Sequence, residues 1–294
     1  MGDREPPSIY LAMLPSSPSA AAPAGQGVGV HYRFTQAFST IWVSAAAPSS
    51  PAGDMLAGTS AGAVHIVPQP HGVHARLYPV ESDIFAVEFL PSSPAALPAS
   101  TASTAADAAA DPHVFLCGAR DGCVRLFDVR APSSATSGSS VASRAEMVLR
   151  HGGPVTHLRA LGAQHVVVGG LQRVAAYDLR SPHPPSPSSS YAMPTRAVRV
   201  YDRAVAPDSS AVGLGFAVDA VRGVLAVADQ DRHVSLWSLS SGLRLASVLD
   251  GGGGEGAHGR HQWTAPCRAL AFDGAVQPGR LWAADGPSLV CFSY

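Results

Sequence analysis

Two tetrapeptides offer the clearest chemistry in this chain. Phe127-Asp128-Val129-Arg130 and Tyr177-Asp178-Leu179-Arg180 each set an arginine two residues after an aspartate and three after an aromatic ring. The planar fork of arginine makes charge-assisted hydrogen bonds of fixed geometry to a carboxylate or carbonyl, which suits recognition of another protein. Asp128 and Asp178 read as orienting the turn and the arginine that follows. Phe127 and Tyr177 read as an apolar plate ahead of the charged pair. The plainer alternative for both tetrapeptides is structural: an aspartate closing a strand, and an arginine facing solvent.

Catalytic and metal chemistry is not encoded in any recognisable pattern. There are twelve histidines and four cysteines, but no G-x-S-x-G, H-E-x-x-H or G-x-x-x-x-G-K-[ST]. The run GGGGEG at 251–256 neither follows a strand nor opens a helix, and reads as a loop. His258 and His261 lie close together without a third ligand, so solvated side chains are expected there. Cys117, Cys123, Cys267 and Cys291 form no C-x-x-C pair, and each sits in or beside an apolar alternation. Four reduced, strand-buried thiols are expected, with no metal and no cofactor.

Charge narrows the partners. Lys and Arg total 20 against 21 for Asp and Glu, a formal net charge of −1. That balance carries no footprint for nucleic acid or for an anionic membrane surface. The apolar stretch from Ile9 to Leu14 is too short for a signal sequence and ends at Pro15, and no stretch approaches the roughly 20 apolar residues that span a bilayer. An intracellular protein, nuclear or cytoplasmic, is expected.

The elements that must position the two tetrapeptides are legible as a repeat. MLAGTSAGAVHIV, FLCGARDGCVRLFDVR, VVVGGLQRVAAYDLR, LAVADQDRHVSLWSL and LWAADGPSLVCFSY share a small-residue patch, a polar turn and an alternating strand. The first core residue of that strand is Val64, Val124, Val174, Val234 or Leu289, at intervals of 60, 50, 60 and 55 residues. Two positions on stand Ile66, Leu126, Ala176, Leu236 and Cys291, which keeps one face apolar as the period-2 pleat requires. Three positions on stand Val67, Phe127, Tyr177, Trp237 and Phe292, at the place where WD repeats carry Trp. Apolar stretches at 38–43, 84–90, 155–158, 212–218 and 267–272 supply the earlier strands.

An all-β, WD-repeat β-propeller of five recognisable blades is therefore expected. A β-sandwich also strings short strands together, but has no reason to repeat patch, turn and aromatic in order. Residues 1–27 read as a low-complexity, disordered tail, and 28–294 as the propeller with Ala/Pro/Ser-rich loop insertions. Segment 27–34 is expected to add one strand to the last blade and latch the ring. Most WD rings have seven blades, so either this ring is small or the N-terminal part of the domain lies outside the chain. His151, in HGGPV ahead of a strand, reads as a residue that bonds one blade to the next, and Arg130 and Arg180 should project from one rim on neighbouring blades.

The segments GARDGCVRLFDVR, HGGPVTHLRAL, YDLR, ADQDRHVSLWSLSSGLRL and LWAADGPSLVCFSY together resemble the DDB- and cullin-four-associated factor four family of WD-repeat proteins, over residues 81–294. The resemblance implies a non-catalytic substrate receptor of the cullin-4 RING ubiquitin ligase. It implies docking on the DDB-type triple-propeller adaptor through a W-D-x-R box, matched by Phe127, Asp128 and Arg130 and by Tyr177, Asp178 and Arg180. The protein substrate is unknown. The box's leading Trp is Phe127 or Tyr177 here, and residues 1–27 suggest no helical segment to grip the adaptor. A generic WD-repeat scaffold with structural boxes is the alternative.

Overall fold

The computed structural model describes residues 8–13, 28–33, 40–46, 53–69, 72–91, 110–131, 145, 147–180, 194–202, 204, 213–245, 263–273 and 279–293. All regular elements among them are strands, in six antiparallel sheets. A two-stranded sheet joins β1 (Ser8–Met13) to β2 (Val28–Arg33). Sheet one contains β3 (Ile41–Ala46), β4 (Met55–Thr59), β5 (Gly62–Gln69) and β6 (Gly72–Pro79). Sheet two contains β7 (Ile84–Pro91), β8 (Ala110–Ala119), β9 (Cys123–Asp128) and β10 (Met147–Arg150). Sheet three contains β11 (Val155–Leu161), β12 (His165–Gly170), β13 (Val174–Asp178) and β14 (Arg199–Val200). Sheet four contains β15 (Phe216–Asp219), β16 (Val224–Ala228) and β17 (Val234–Ser238), and sheet five β18 (Leu270–Phe272), β19 (Arg280–Asp285) and β20 (Ser288–Ser293).

These five sheets are the five expected blades, packed in chain order through their first strands: β3 on β7, β7 on β11, β11 on β15, and β15 on β18. The hydrophobic core is accordingly a series of interfaces. One apolar cluster fills each of the four junctions, from sheets one and two to sheets four and five. Leu56, Phe115 and Phe127 belong to the first junction, Leu116, Leu149 and Tyr177 to the second. A fifth cluster, around Ala57, Val64 and Ile66, lies on sheet one alone.

The small-residue patch of the repeat has a steric cause. A Cβ added at Gly58 would stand 2.7 Å from the carbonyl oxygen of Ile84, on the first strand of the next blade. One added at Gly118 would collide with Val155, the corresponding strand of blade three. Where one blade is covered by the next, the second strand must let that blade approach its backbone closely.

Four of the five anchor valines and leucines are buried: Val64, Val124, Val174 and Val234. The fifth differs. Leu289 is 67% exposed, and Cys291 on the same face is exposed too, against the expectation of four buried thiols. One face of sheet five packs on sheet four, whereas the face bearing Leu289 and Cys291 has no blade upon it among the described residues. Among the described residues the expected latch is not formed: β2 pairs with β1, and sheet five has three strands. Within the expected tail, Ser8–Met13 is a strand, paired antiparallel with Val28–Arg33 with Ile9 opposite Tyr32, Leu11 opposite Val30 and Met13 opposite Val28. The rest of 1–27 lies outside the described residues.

The turns between second and third strands carry one strained residue. Arg232 has φ 66°, in the left-handed region. It stands two residues before its anchor, where the first two blades have Gly62 and Gly122, both at positive φ. Replacing Arg232 by Gly should remove a left-handed cost of about 1–2 kcal/mol, partly offset by the freedom glycine gains when unfolded. A net gain of about 0.5–1 kcal/mol is expected, read as a melting temperature higher by about 1–4 °C; a fall would mean that the arginine side chain holds the turn. Burial pushes the Cys117 thiol up to about 12, and raises those of Cys123 and Cys267. A maleimide should therefore label Cys291 alone in the native protein and all four thiols after unfolding, as mass spectrometry would resolve.

Candidate protein-docking rim

Arg130 and Arg180 sit in the turn that follows the third strand of blades two and three. The turn is pinned to its own blade by a backbone bond: Val129 N–H donates to His113 O at 2.8 Å, and Leu179 N–H to Gln164 O at 2.7 Å. Blade four repeats the bond, Leu239 N–H to Gly223 O at 2.7 Å, but with Ser238 and Ser240 in place of the charged pair. All three turns therefore lie at the same end of their sheets.

Within blades two and three the charged pairs are superimposable in their bonding. Asp128 Oδ1 accepts the Arg130 backbone N–H at 2.8 Å and its Nε at 3.0 Å, while Oδ2 accepts Nη2 at 2.8 Å. Asp178 accepts the same three bonds from Arg180 at the same distances. Arg180 holds the Asp178 carboxyl at about 2, first through its side-chain bond, and Arg130 lowers Asp128 in the same way. The arginine side chains stay 57% and 60% exposed. Each carboxylate thus occupies the Nε–Nη2 edge of a fork and fixes the direction of the remainder, which faces outward.

The two aromatics do a different job from the one read in the sequence. Phe127 and Tyr177, grouped there with the docking residues, are 2% and 1% exposed and cannot touch a partner. They anchor the strand end. Phe127 packs on Phe115 and Tyr78, with ring centroids 5.4 and 5.2 Å apart. Tyr177 donates its hydroxyl to His151 Nδ1 at 2.9 Å, since His151 Nε2 must carry the proton it gives to Arg173 O at 3.1 Å. Where WD repeats carry an indole N–H, this blade uses a phenol.

His151 was expected to bond one blade to the next, and it does: its backbone N–H continues sheet two by donating to Gly122 O at 2.8 Å, while its ring bonds Tyr177 and Arg173 O of blade three. His157 crosses as well, giving Nε2–H to Leu214 O ahead of blade four at 2.7 Å and stacking on Phe216 at 5.0 Å. Its signal was present in the sequence as a histidine inside the apolar run Val155–Leu158. A second missed residue is Arg76 on β6, whose Nη1 donates to Val129 O at 2.9 Å, inside the Asp128 turn.

No three His, Cys, Asp or Glu come together as metal ligands among the described residues. Among the described residues no helix is long and apolar enough to cross a membrane. His258, His261 and the glycine run lie outside the described residues.

The fold is shared with solved structures. The β-propeller domain of Cps50 (Swd1) from Myceliophteria thermophila aligns with a TM-score of 0.57 and 11% identity, over 90% of this chain and 72% of that one. The WD40 β-propeller domain of Doa1 aligns with a TM-score of 0.51 and 13% identity, over 86% of this chain and 64% of that one. At such identities the likeness is one of fold. Comparison with protein-family models and with curated proteins finds no match.

The histidines make stability depend on pH. Burial lowers both His151 and His157 to about 4, below the roughly 6.5 of an unfolded histidine. Their contribution is therefore complete above about pH 6.5 and is lost as pH falls toward 4, at about 1.4 kcal/mol per pH unit for each group. The melting temperature should be level above pH 7 and drop through that window. His151→Gln, which can still accept from Tyr177 and donate to Arg173, should make the drop shallower; an unchanged slope would exclude His151 as a source.

Proposed function

We propose that this WD-repeat β-propeller is a non-catalytic docking subunit, and that its Arg130 and Arg180 rim seats the DDB-type adaptor of a cullin-4 RING ubiquitin ligase. A protein substrate would then be presented from surfaces away from that rim. The observation carrying this reading is the pair of exposed Asp-x-Arg turns on adjacent blades, whose aspartate–arginine bonds match atom for atom. A purely structural role would be satisfied by the serine version of the turn in blade four, which keeps the same backbone bond without any charge. Two exposed guanidiniums held in one orientation are instead suited to a partner's carboxylates and carbonyls, with little rotamer freedom left to lose on binding. The resemblance over residues 81–294 supplies the identity of the partner.

A generic scaffold is the second reading, favoured by the same geometry seen from the other side: each arginine already has its own aspartate, so each turn is complete without a partner. The two readings part at the rim. Affinity purification of the wild type and of Arg130→Ala/Arg180→Ala from cells should recover adaptor and cullin with the first and lose both with the second. Equal melting temperatures would show the loss to be local. Recovery unchanged in the double variant, or no adaptor with a folded wild type, would leave the scaffold reading.

A further inference from the structure

Arg76 belongs to a motif that occurs twice, on the outermost strand of two different blades. In sheet one the segment is Arg76-Leu77-Tyr78, on β6, and in sheet three it is Arg199-Val200-Tyr201, beginning on β14. Each arginine reaches out of its own blade to a backbone carbonyl in the turn after the third strand of the next. Arg76 Nη1 donates to Val129 O at 2.9 Å, and Arg199 Nη1 donates to Ser241 O at 3.0 Å. Each tyrosine is buried beside the aromatic that ends that third strand: Tyr78 lies 5.2 Å from Phe127, and Tyr201 6.4 Å from Trp237. Tyr201 adds a bond from its hydroxyl to Leu239 O at 3.3 Å. The Arg76 guanidinium lies over the Tyr78 ring at 5.0 Å, so its stem and charge are both fixed. The receiving turn in blade four is shaped for the arginine, since a Cβ at Gly242 would stand 2.5 Å from Arg199 Cδ.

Sheet two breaks the pattern. Its outermost strand reads Met147-Val148-Leu149-Arg150, with Met147 opposite Leu126 and Leu149 opposite Val124. Among the described residues no side chain of sheet two bonds to the Asp178 turn of blade three. The two arginine turns of the rim therefore differ among the described residues: the Asp128–Arg130 turn receives a side-chain hydrogen bond from blade one, whereas the Asp178–Arg180 turn receives none from blade two and packs on it through Leu179.

We infer that Arg76 is a positioning residue for the rim, clamping blade one to the Asp128 turn so that Arg130 is presented as its preorganised anchor. This rests on the adaptor-docking reading of the rim. A bond to Val129 O fixes the peptide between Asp128 and Arg130, the one segment whose rotation would swing the fork away from its direction. Arg199 performs the same clamp on a turn that carries no fork, so it serves as an internal control.

The test uses the full chain with Arg76→Met, which keeps an apolar stem over Tyr78 without a donor, Arg76→Lys, which restores a donor, and Arg199→Met. Hydrogen–deuterium exchange reads the clamp without any partner. Arg76→Met should speed exchange of residues 127–131 about tenfold and leave 177–181 unchanged, with Arg76→Lys partly restoring protection. Adaptor capture reads its use: Arg76→Met should lower capture about tenfold, while Arg199→Met, with a similar fall in melting temperature, should leave capture at the wild-type level. Unchanged exchange at 127–131 would overturn the clamp, whatever the adaptor does. Faster exchange with full capture, in a protein whose capture depends on Arg130, would overturn its role in docking, as would an equal loss of capture in Arg199→Met. Failure of the wild type to bind adaptor would refute the docking reading, and with it the presentation of Arg130 as an anchor, with the exchange result still deciding the clamp.

Discussion

Every feature of this molecule follows from sheets that are apolar on both faces. A blade such as β8–β9, with Phe115 and Leu116 both fully buried on neighbouring positions, has no solvent side and is covered twice. Covering sheets two to four each by the one before and the one after spreads the core into four separate junctions rather than one centre. The faces are then fully used for packing, which leaves the strand ends and connecting turns as the surfaces able to meet another molecule. The Asp128 and Asp178 turns owe their exposure, and their common direction, to that division of labour.

What the sequence displays clearly is whatever recurs within one blade. The anchor column at Val64, Val124, Val174 and Val234, the aromatic column at Phe127, Tyr177 and Trp237, and the two Asp-x-Arg turns are all local in register, and alternation makes them visible. The small-residue patch was visible too, although its cause, the approach of Ile84 to Gly58 and of Val155 to Gly118, lies in the next blade. What stayed hidden is whatever passes between blades. His157 reaches Leu214 across 57 positions, and Arg76 reaches Val129 across 53, so neither leaves a spacing signal. The Arg-x-Tyr motif is itself a repeat, but it skips a blade and begins outside the segments that align. Leu289 misled for the opposite reason: its column predicts burial, and burial depends on a neighbour that the column does not contain.

The replacements for the expected Trp are not interchangeable. Phe127 has no polar atom and is held by rings from two blades, Tyr78 and Phe115. Tyr177 holds its place through a hydroxyl that belongs to a chain of bonds, from the phenol to His151 and from His151 to the Arg173 carbonyl. One turn of the rim is thus fixed by apolar packing and a cross-blade cation, the other by a buried polar network that requires a neutral imidazole. Acid would weaken the second support by charging that imidazole.

The self-paired forks bear on how quickly a partner could arrive. Because Asp128 and Asp178 each sit against the arginine that follows, the rim presents two local dipoles in place of two net positive charges, on a chain whose formal charge is only −1. Such a surface projects little field beyond about one Debye length, roughly 8–10 Å at physiological ionic strength. Encounters would go unsteered, at rates nearer the 10⁵–10⁶ M⁻¹s⁻¹ of neutral pairs, and would depend little on salt. Selectivity would then reside in the lifetime of the complex, set by whether an incoming carboxylate or carbonyl lies along a direction that the protein has already chosen.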